Sequence, residues 1–389
     1  MPSNYKKLGD YIQPVNNRNK NLVDIPLLGV SIKKVLMPSI ANIIGTDMST
    51  YKLISKNQFA YGPVTSRNGD KISIALLEEY ENAMVSQAYT VFEVIDQKKL
   101  LPEYLMMWFR RPEFDRYARF KSHGSAREIF DWAEMCDTEL PIPSPEKQQE
   151  IVREYKIIQD RIALNNQLIT KLEETAQAIY KQWFVDFEFP FVTSSGVEMP
   201  YKSNGGEMVW CAELEKEIPK GWEVGKLNDF ISIKNGKSRP ISKGSIPVYG
   251  GNGIIDNVNV FNYENLNIIG RVGAYCGSVY FNEGKVWISD NALAAISKNE
   301  TLYFDYLTLI NLNLNSKSEG SSHPLLTQGI LNDINLIKAK NVNIYREFER
   351  IIKPLYKQEH NFKNQNQRLE ELKELLMAKM TKVETEINA

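Results

Sequence analysis

The chain has 389 residues, too many for one ordinary core and enough for two domains with connecting elements. Apolar residues make up 43% and charged residues 24%, which excludes a collagen-like or largely disordered chain. With 47 Lys and Arg against 48 Asp and Glu the formal net charge is −1, so the chain lacks the global basic footprint that many nucleic-acid binders carry. Cys136, Cys211 and Cys276 are widely spaced with no CxxC or Cys/His pattern, so neither a disulfide framework nor a zinc site is expected. The N-terminus lacks the apolar stretch of a signal peptide, and no apolar run approaches about 18 residues, so a soluble, cytoplasmic protein with no membrane contact is expected.

The first block opens with residues 7–12 (KLGDYI) and continues through short β-rich runs, the clearest at 88–95, and a helical stretch at 102–109. Over 105–127, Arg110, Arg111, Arg116, Arg119, Lys121 and Arg127 outnumber Glu113 and Asp115, a cluster more commonly a solvated face than a binding site. Pro141, Pro143 and Pro145 forbid continuous helix until Ser144 can cap and Pro145 can occupy the first turn, which predicts a helix from about 145 to about 184. Along it Ile151, Tyr155, Ile158, Ile162, Asn165, Ile169, Leu172, Ala176, Ile179 and Trp183 recur at alternating steps of four and three, a coiled-coil seam with one polar interruption. Pro190 and Gly196 then open a linker over 190–217.

The second block contains residues 226–231 (KLNDFI) and a β-rich run at 286–296. Over 226–243, Lys226, Lys234, Lys237, Arg239 and Lys243 face only Asp229. A second amphipathic helix carries Phe348, Ile351, Leu355, Gln358, Phe362, Gln365, Leu369, Leu372, Leu376 and Lys379 at the same steps, with Pro354 predicting a kink or a fresh start.

The two halves repeat. KLGDYI returns as KLNDFI 219 residues later, Glu103-Tyr104-Leu105 answers Asp305-Tyr306-Leu307, Gly124-Ser125 answers Gly320-Ser321, and Asp137 and Leu140 match Asp333 and Leu336. Both helices share a register at an offset of 200 residues. The expected fold is therefore α+β: two globular domains in tandem repeat, separated by two long antiparallel coiled-coil helices in a pseudo-two-fold dumbbell. The boundaries are 1–144 for the first globule, 145–189 for the central helix, 190–340 for the second globule with its linker, and 341–389 for the C-terminal helix. From Ile151 to Trp183 such a helix spans about 48 Å. Asn165 and Gln365 fall near its middle, where they either meet in one polar layer or reach solvent. A spacer with two heads suits duplex DNA, whose grooves recur about every 34 Å.

Residues 141–152 (PIPSPEKQQEIV), the helix end at 182–187 (QWFVDF) and residues 218–229 (IPKGWEVGKLND) resemble the specificity subunit of type I restriction-modification systems, over essentially the whole chain. The first globule lacks the Gly-Trp opening of the second. The resemblance implies that each globule is a target-recognition domain reading one half of a bipartite double-stranded DNA site. It implies that the helices set the unread spacer and dock two adenine methyltransferase subunits, which use S-adenosylmethionine. Restriction/translocase subunits driven by ATP would join them, and this chain would hold no cofactor itself.

No catalytic residue is expected here either from the residues themselves. There is no GxxxxGK[ST] loop and no Asn/Asp-Pro-Pro-Tyr/Phe tetrad, and Tyr249 to Gly253 (YGGNG) reads as a turn cluster. Base edges and phosphates need Arg, Asn, Lys, Ser and Tyr on loops. The DNA-contact candidates of the second globule are Lys237, Ser238 and Arg239, then Tyr249 and Asn252, then Arg271 and Tyr275. Those of the first are Lys33, Lys34, Arg67 and Asn68, with Ser125 and Arg127 on phosphates. The competing reading is a non-DNA coiled-coil scaffold that presents two protein-binding domains.

Overall fold

The computed structural model describes residues 5–41, 44–65, 71–124, 128–192, 196–320 and 324–380. The chain begins with β1 (Tyr5–Lys7), β2 (Ile12–Val15), β3 (Leu27–Val30), β4 (Leu36–Pro38) and β5 (Lys52–Ser55). There follow β6 (Phe59–Gly62), β7 (Ser73–Leu76), β8 (Asn82–Val85), β9 (Thr90–Val94), α1 (Pro102–Arg110), α2 (Pro112–Phe120), α3 (Trp132–Asp137) and β10 (Glu139–Pro141). Where the proline run ends, α4 (Pro145–Phe184) starts, with the Ser144 hydroxyl accepting from the Lys147 amide at 3.4 Å. Two hairpins come next, β11 (Pro190–Val192) with β12 (Glu198–Pro200) and β13 (Met208–Cys211) with β14 (Lys216–Pro219). Then come β15 (Trp222–Lys226), α5 (Leu227–Phe230), β16 (Ile231–Asn235), β17 (Ile246–Gly250), β18 (Gly253–Val258), β19 (Tyr263–Gly270), β20 (Val279–Ile288) and β21 (Ala292–Ser297). The last elements are α6 (Leu302–Asn311), α7 (Gln328–Asn332), β22 (Asn335–Ala339) and α8 (Asn343–Lys379).

The β-rich run at 286–296 holds the end of β20 and most of β21, separated by a turn that the Ala292 amide closes on Ser289 O at 3.0 Å. Of the two outcomes expected at Pro354, the fresh start does not occur, because α8 runs on through it. The proline's missing donor costs about 3 kcal/mol, and Ile352 and Tyr356 on either side of it are buried.

Packing divides the chain through the middle of both long helices, into Met1–Asn165 with Asn364–Ala389 and Asn166–Lys363. In unit 1 the sheets run β2-β9-β6-β7 and β4-β3-β8-β5, beside the pair β1-β10. Their core stacks Phe59 on Phe92 at 4.7 Å and takes in Ile151, Tyr155 and Ile158 from α4 with Leu376, Met377 and Met380 from α8. In unit 2 one sheet runs β16-β21-β19-β20-β17-β18, beside the pair β15-β22. Its core joins Phe304 and Leu307 of α6 to Tyr180, Trp183 and Phe184 of α4 and to Tyr345, Phe348, Ile352 and Tyr356 of α8.

The strand orders reveal the repeat. The order β2-β9-β6-β7 matches β16-β21-β19-β20, and the parallel pairing of β3 with β8 matches that of β17 with β20. The left-handed residues Asn57 and Asn265 mark the same corner: β5 and β6 are separate there, whereas β19 runs on through a register shift. The Leu8 amide donates to Thr138 O and the Leu227 amide to Ile334 O, each at 2.8 Å. Lys7 pairs with Asp137 at 2.9 Å and Lys226 with Asp333 at 2.7 Å, exposed pairs that repeat the design but add little stability.

Within each unit the helix halves run antiparallel. Asn165 meets Asn366 in unit 1, and in unit 2 Glu173 faces Lys363 at 3.7 Å while Trp183 packs on Phe348. On α4 the expected seam is buried at Ile151, Tyr155, Ile158, Asn165 and Ile169, and partly buried at Ile162, Leu172 and Ile179. On α8 the buried stripe drifts one position toward the C-terminus, to Ile352, Tyr356, Glu359 and Met380. Leu376 is buried and Leu355, Phe362 and Leu369 partly so, whereas Ile351 and Leu372 lie exposed, which corrects their placement in the seam. A helix of 3.6 residues per turn drifts about 20° per heptad against a 3.5 repeat, enough for such a slip over several heptads. Asn165 and Gln365 do meet: the fully buried Asn165 donates to Oε1 of the exposed Gln365 at 3.5 Å and, more closely, to Asn366 Oδ1 at 2.8 Å.

Each long helix also caps a short one. The fully buried Gln148 accepts from the Leu101 amide at 2.8 Å and donates to Lys99 O and Pro143 O. In unit 2 Glu349 accepts from the Tyr303 and Phe304 amides, and burial pushes its carboxyl above the usual range against those two donors. Gln148→Ala strands three backbone groups, so the denaturant midpoint of unit 1 should correspond to a loss of about 1–3 kcal/mol, with unit 2 unchanged.

Candidate nucleic-acid interface

In unit 2 four loops converge around Gly270. A Cβ there would stand 2.3 Å from Tyr275 O and 2.8 Å from Gly251 O, so only glycine lets these backbones meet. Gly236 likewise approaches Ser289 O, where a Cβ would lie at 1.8 Å. The Lys237 amide donates to Ile288 O at 3.0 Å and the Arg271 amide to Asn291 O at 3.1 Å. The rim therefore gathers residues 236–239 after β16, 251–252 between β17 and β18, 271–275 after β19 and 289–291 before β21. YGGNG is a hairpin turn, followed by a strand and not by the helix of a nucleotide-binding loop.

The structure thus brings Lys237, Ser238, Arg239, Asn252, Arg271 and Tyr275 onto connected loops. Lys237, Ser238 and Asn252 are exposed, and Tyr275 is half exposed. Arg239 is held by Asp256 at 3.0 Å. Tyr249 does not belong to this surface: it is 8% exposed and packs with Leu266, Ile268 and Ile288, because its β17 position points into the sheet core.

In unit 1 the corresponding rim includes the β3–β4 turn, Pro63 to Thr65, and the start of β9. Lys33 is exposed on that turn. Lys34, in contrast, adopts a left-handed backbone and buries its ammonium against Asp115 at 2.8 Å and the Phe109 carbonyl. Asp115 also accepts from the Ile72 amide at 3.1 Å, so Lys34 is a structural ion-pair partner and not a DNA contact. Burial lowers its pKa while Asp115 works to raise it. Arg67, Asn68, Ser125 and Arg127 lie outside the described residues. What residue-by-residue selection missed is a cleft of about 550 Å³ lined by Lys71, Pro112, Asp115, Arg116, Arg119 and Phe120, with Phe120 82% exposed. The basic cluster at 105–127 was its signal.

The two rims share a backbone plan. The Phe130 amide donates to Pro63 O and the Leu326 amide to Arg271 O, each at 2.9 Å, just after Gly62 and Gly270. Bridges join Val64 and His123 to Ile129, and Val272 and Glu319 to Leu325. The frame is shared between units while its side chains differ. Among the described residues no cluster of three or more His, Cys, Asp or Glu is arranged for a metal ion, and no helix is long and apolar enough to cross a membrane.

The Lys34 assignment has a direct check. Lys34→Met leaves Asp115 buried without its partner and should destabilise unit 1 by about 3–5 kcal/mol in denaturant unfolding, whereas Lys33→Ala should change stability by less than about 0.5 kcal/mol.

Comparison with known proteins agrees with this plan. The chain is 33% identical over 147 residues to the type I restriction enzyme MjaIX specificity subunit of Methanocaldococcus jannaschii, across 38% of this chain and 31% of that one. It is 28% identical over 188 residues to the HindI specificity subunit of Haemophilus influenzae, across 46% of this chain and 40% of that one. The matched stretches thus span well under half the length of these curated relatives. The crystal structure of the type I restriction-modification S subunit from M. genitalium superposes over 98% of this chain and 96% of that one, with a TM-score of 0.61 at 15% identity, a likeness of fold. The type I restriction modification DNA specificity domain matches twice, at residues 15–174 and 219–372, one copy for each half of the repeat, and the chain belongs to that family.

Proposed function

We propose that this chain is the DNA-recognition subunit of a cytoplasmic type I restriction-modification complex and carries no catalytic residue of its own. Each unit reads one half of a bipartite duplex site, and the paired helices fix the unread spacer and dock two methyltransferase subunits. The observation that carries this reading is the repeated rim, one backbone frame bearing different side chains in the two units. Docking is supported by an apolar groove of about 510 Å³ on the unit 1 helix pair, where Ile157, Leu372 and Leu375 are each at least half exposed beside Ile158 and Leu376. S-adenosylmethionine and ATP belong to the partner methyltransferase and restriction/translocase subunits, not to this chain. The net charge of −1 fits a reader whose partners supply many of the phosphate contacts. A scaffold presenting two protein-binding domains would need no such matched, side-chain-varied rims.

Domain exchange tests the proposal. With residues 1–144 replaced by those of a relative and the chain co-expressed with its methyltransferase subunit, mapping of methylated adenines should show a two-part motif in which one half alone has changed. Change in both halves, or in neither, would contradict it.

A further inference from the structure

On the rim of unit 2, Arg271 has a fixed backbone and a side chain unpaired among the described residues. The backbone of Arg271 is pinned on three sides: its amide donates to Asn291 O at 3.1 Å, and its carbonyl accepts from the Leu326 amide at 2.9 Å and from the Cys276 thiol at 3.2 Å. Its side chain has no hydrogen-bond or ion-pair partner among the described residues, and Nε is buried and unsatisfied. The same rim holds a second unsatisfied polar atom, Oγ of Ser289, a residue only 2% exposed. Buried polar groups without partners are uncommon in folded proteins, and two of them lie in these adjoining loops. The neighbouring cation behaves differently, since Arg239 already has Asp256 at 3.0 Å.

From this geometry we infer that Arg271 selects a guanine in the half-site read by unit 2, an inference that rests on the DNA-reading function proposed above. With Nε closed off, Arg271 can meet a duplex only through its two terminal nitrogens, the end-on fork that spans guanine O6 and N7 in the major groove. A pinned backbone and an unpaired guanidinium let the fork form without breaking an existing ion pair, which Arg239 would have to do. Unit 1 has Pro63 at the matching point of the frame, where no such contact is available. The guanine therefore belongs to one half of the site.

The test uses the full chain assembled with its methyltransferase subunit, with adenine methylation mapped on a random-sequence library. The wild-type complex should give a two-part motif with a fixed guanine in the half that is unaffected by exchange of residues 1–144. In Arg271→Gln, preference for that guanine should fall about 10- to 100-fold and shift toward adenine, which Gln can fork, while the other half stays as it was. Lys237→Ala, as a phosphate-type control, should lower methylation at all sites in similar proportion. If Arg271→Gln fails to assemble, Arg271→Lys keeps the charge and stem and should loosen the same position. A wild-type two-part motif whose guanines all survive both substitutions overturns the inference alone. Absence of any two-part motif from the wild type overturns the function on which it rests.

Discussion

Each globular core is completed by apolar side chains that arrive on two helices from distant parts of the sequence. In unit 1 Ile151, Tyr155 and Ile158 of α4 share a core with Leu376, Met377 and Met380 of α8, and in unit 2 Tyr180, Trp183 and Phe184 share one with Phe348, Ile352 and Tyr356. Fully burying one such side chain contributes about 1.5–3 kcal/mol, so the helix contacts are comparable with the whole net stability of a domain. Neither half of the repeat is therefore self-sufficient, and the helix pairing is a folding requirement. At its middle, Asn165 buries a polar group against Asn366, the kind of contact that fixes register and orientation at some cost in stability.

Upon that pairing the repeat builds one frame twice. Equivalent strands keep their order while the corner at Asn57 and Asn265 differs in continuity, and the rim loops keep their backbone bonds while exchanging side chains. The division of labour follows from the physics of each part. Backbone hydrogen bonds and close glycine contacts hold the loops still, and whichever side chains stand on them are free to vary without disturbing the core. The contrast between Pro63 and Arg271 on matching bonds is one instance.

The sequence made the long helices legible because their signals are strong and local: a proline run with a serine cap at the start, and apolar steps of four and three along the seam. The repeat was legible from ordered matches such as Lys7 with Lys226 and Asp137 with Asp333, which prove to be ion pairs. Less legible was anything decided by tertiary context. Periodicity placed Leu372 in the seam, but the drift of a straight helix moved it to the surface. Residue type placed Lys34 on DNA and Tyr249 on a loop surface, but a partner 81 positions away, Asp115, draws the first inward and the strand's facing buries the second. The Lys71–Phe120 cleft needed the fold to bring Lys71 beside α2.

The most direct test of the account lengthens the helix pair. Seven residues of matching heptad pattern inserted into α4 next to Asn165 and into α8 next to Asn364 extend each helix by about 10.5 Å, or about three base pairs at about 3.4 Å each. The methylation motif should keep both halves and gain about three base pairs of unread sequence between them. An unchanged gap, or altered halves in a folded and assembled complex, would contradict it.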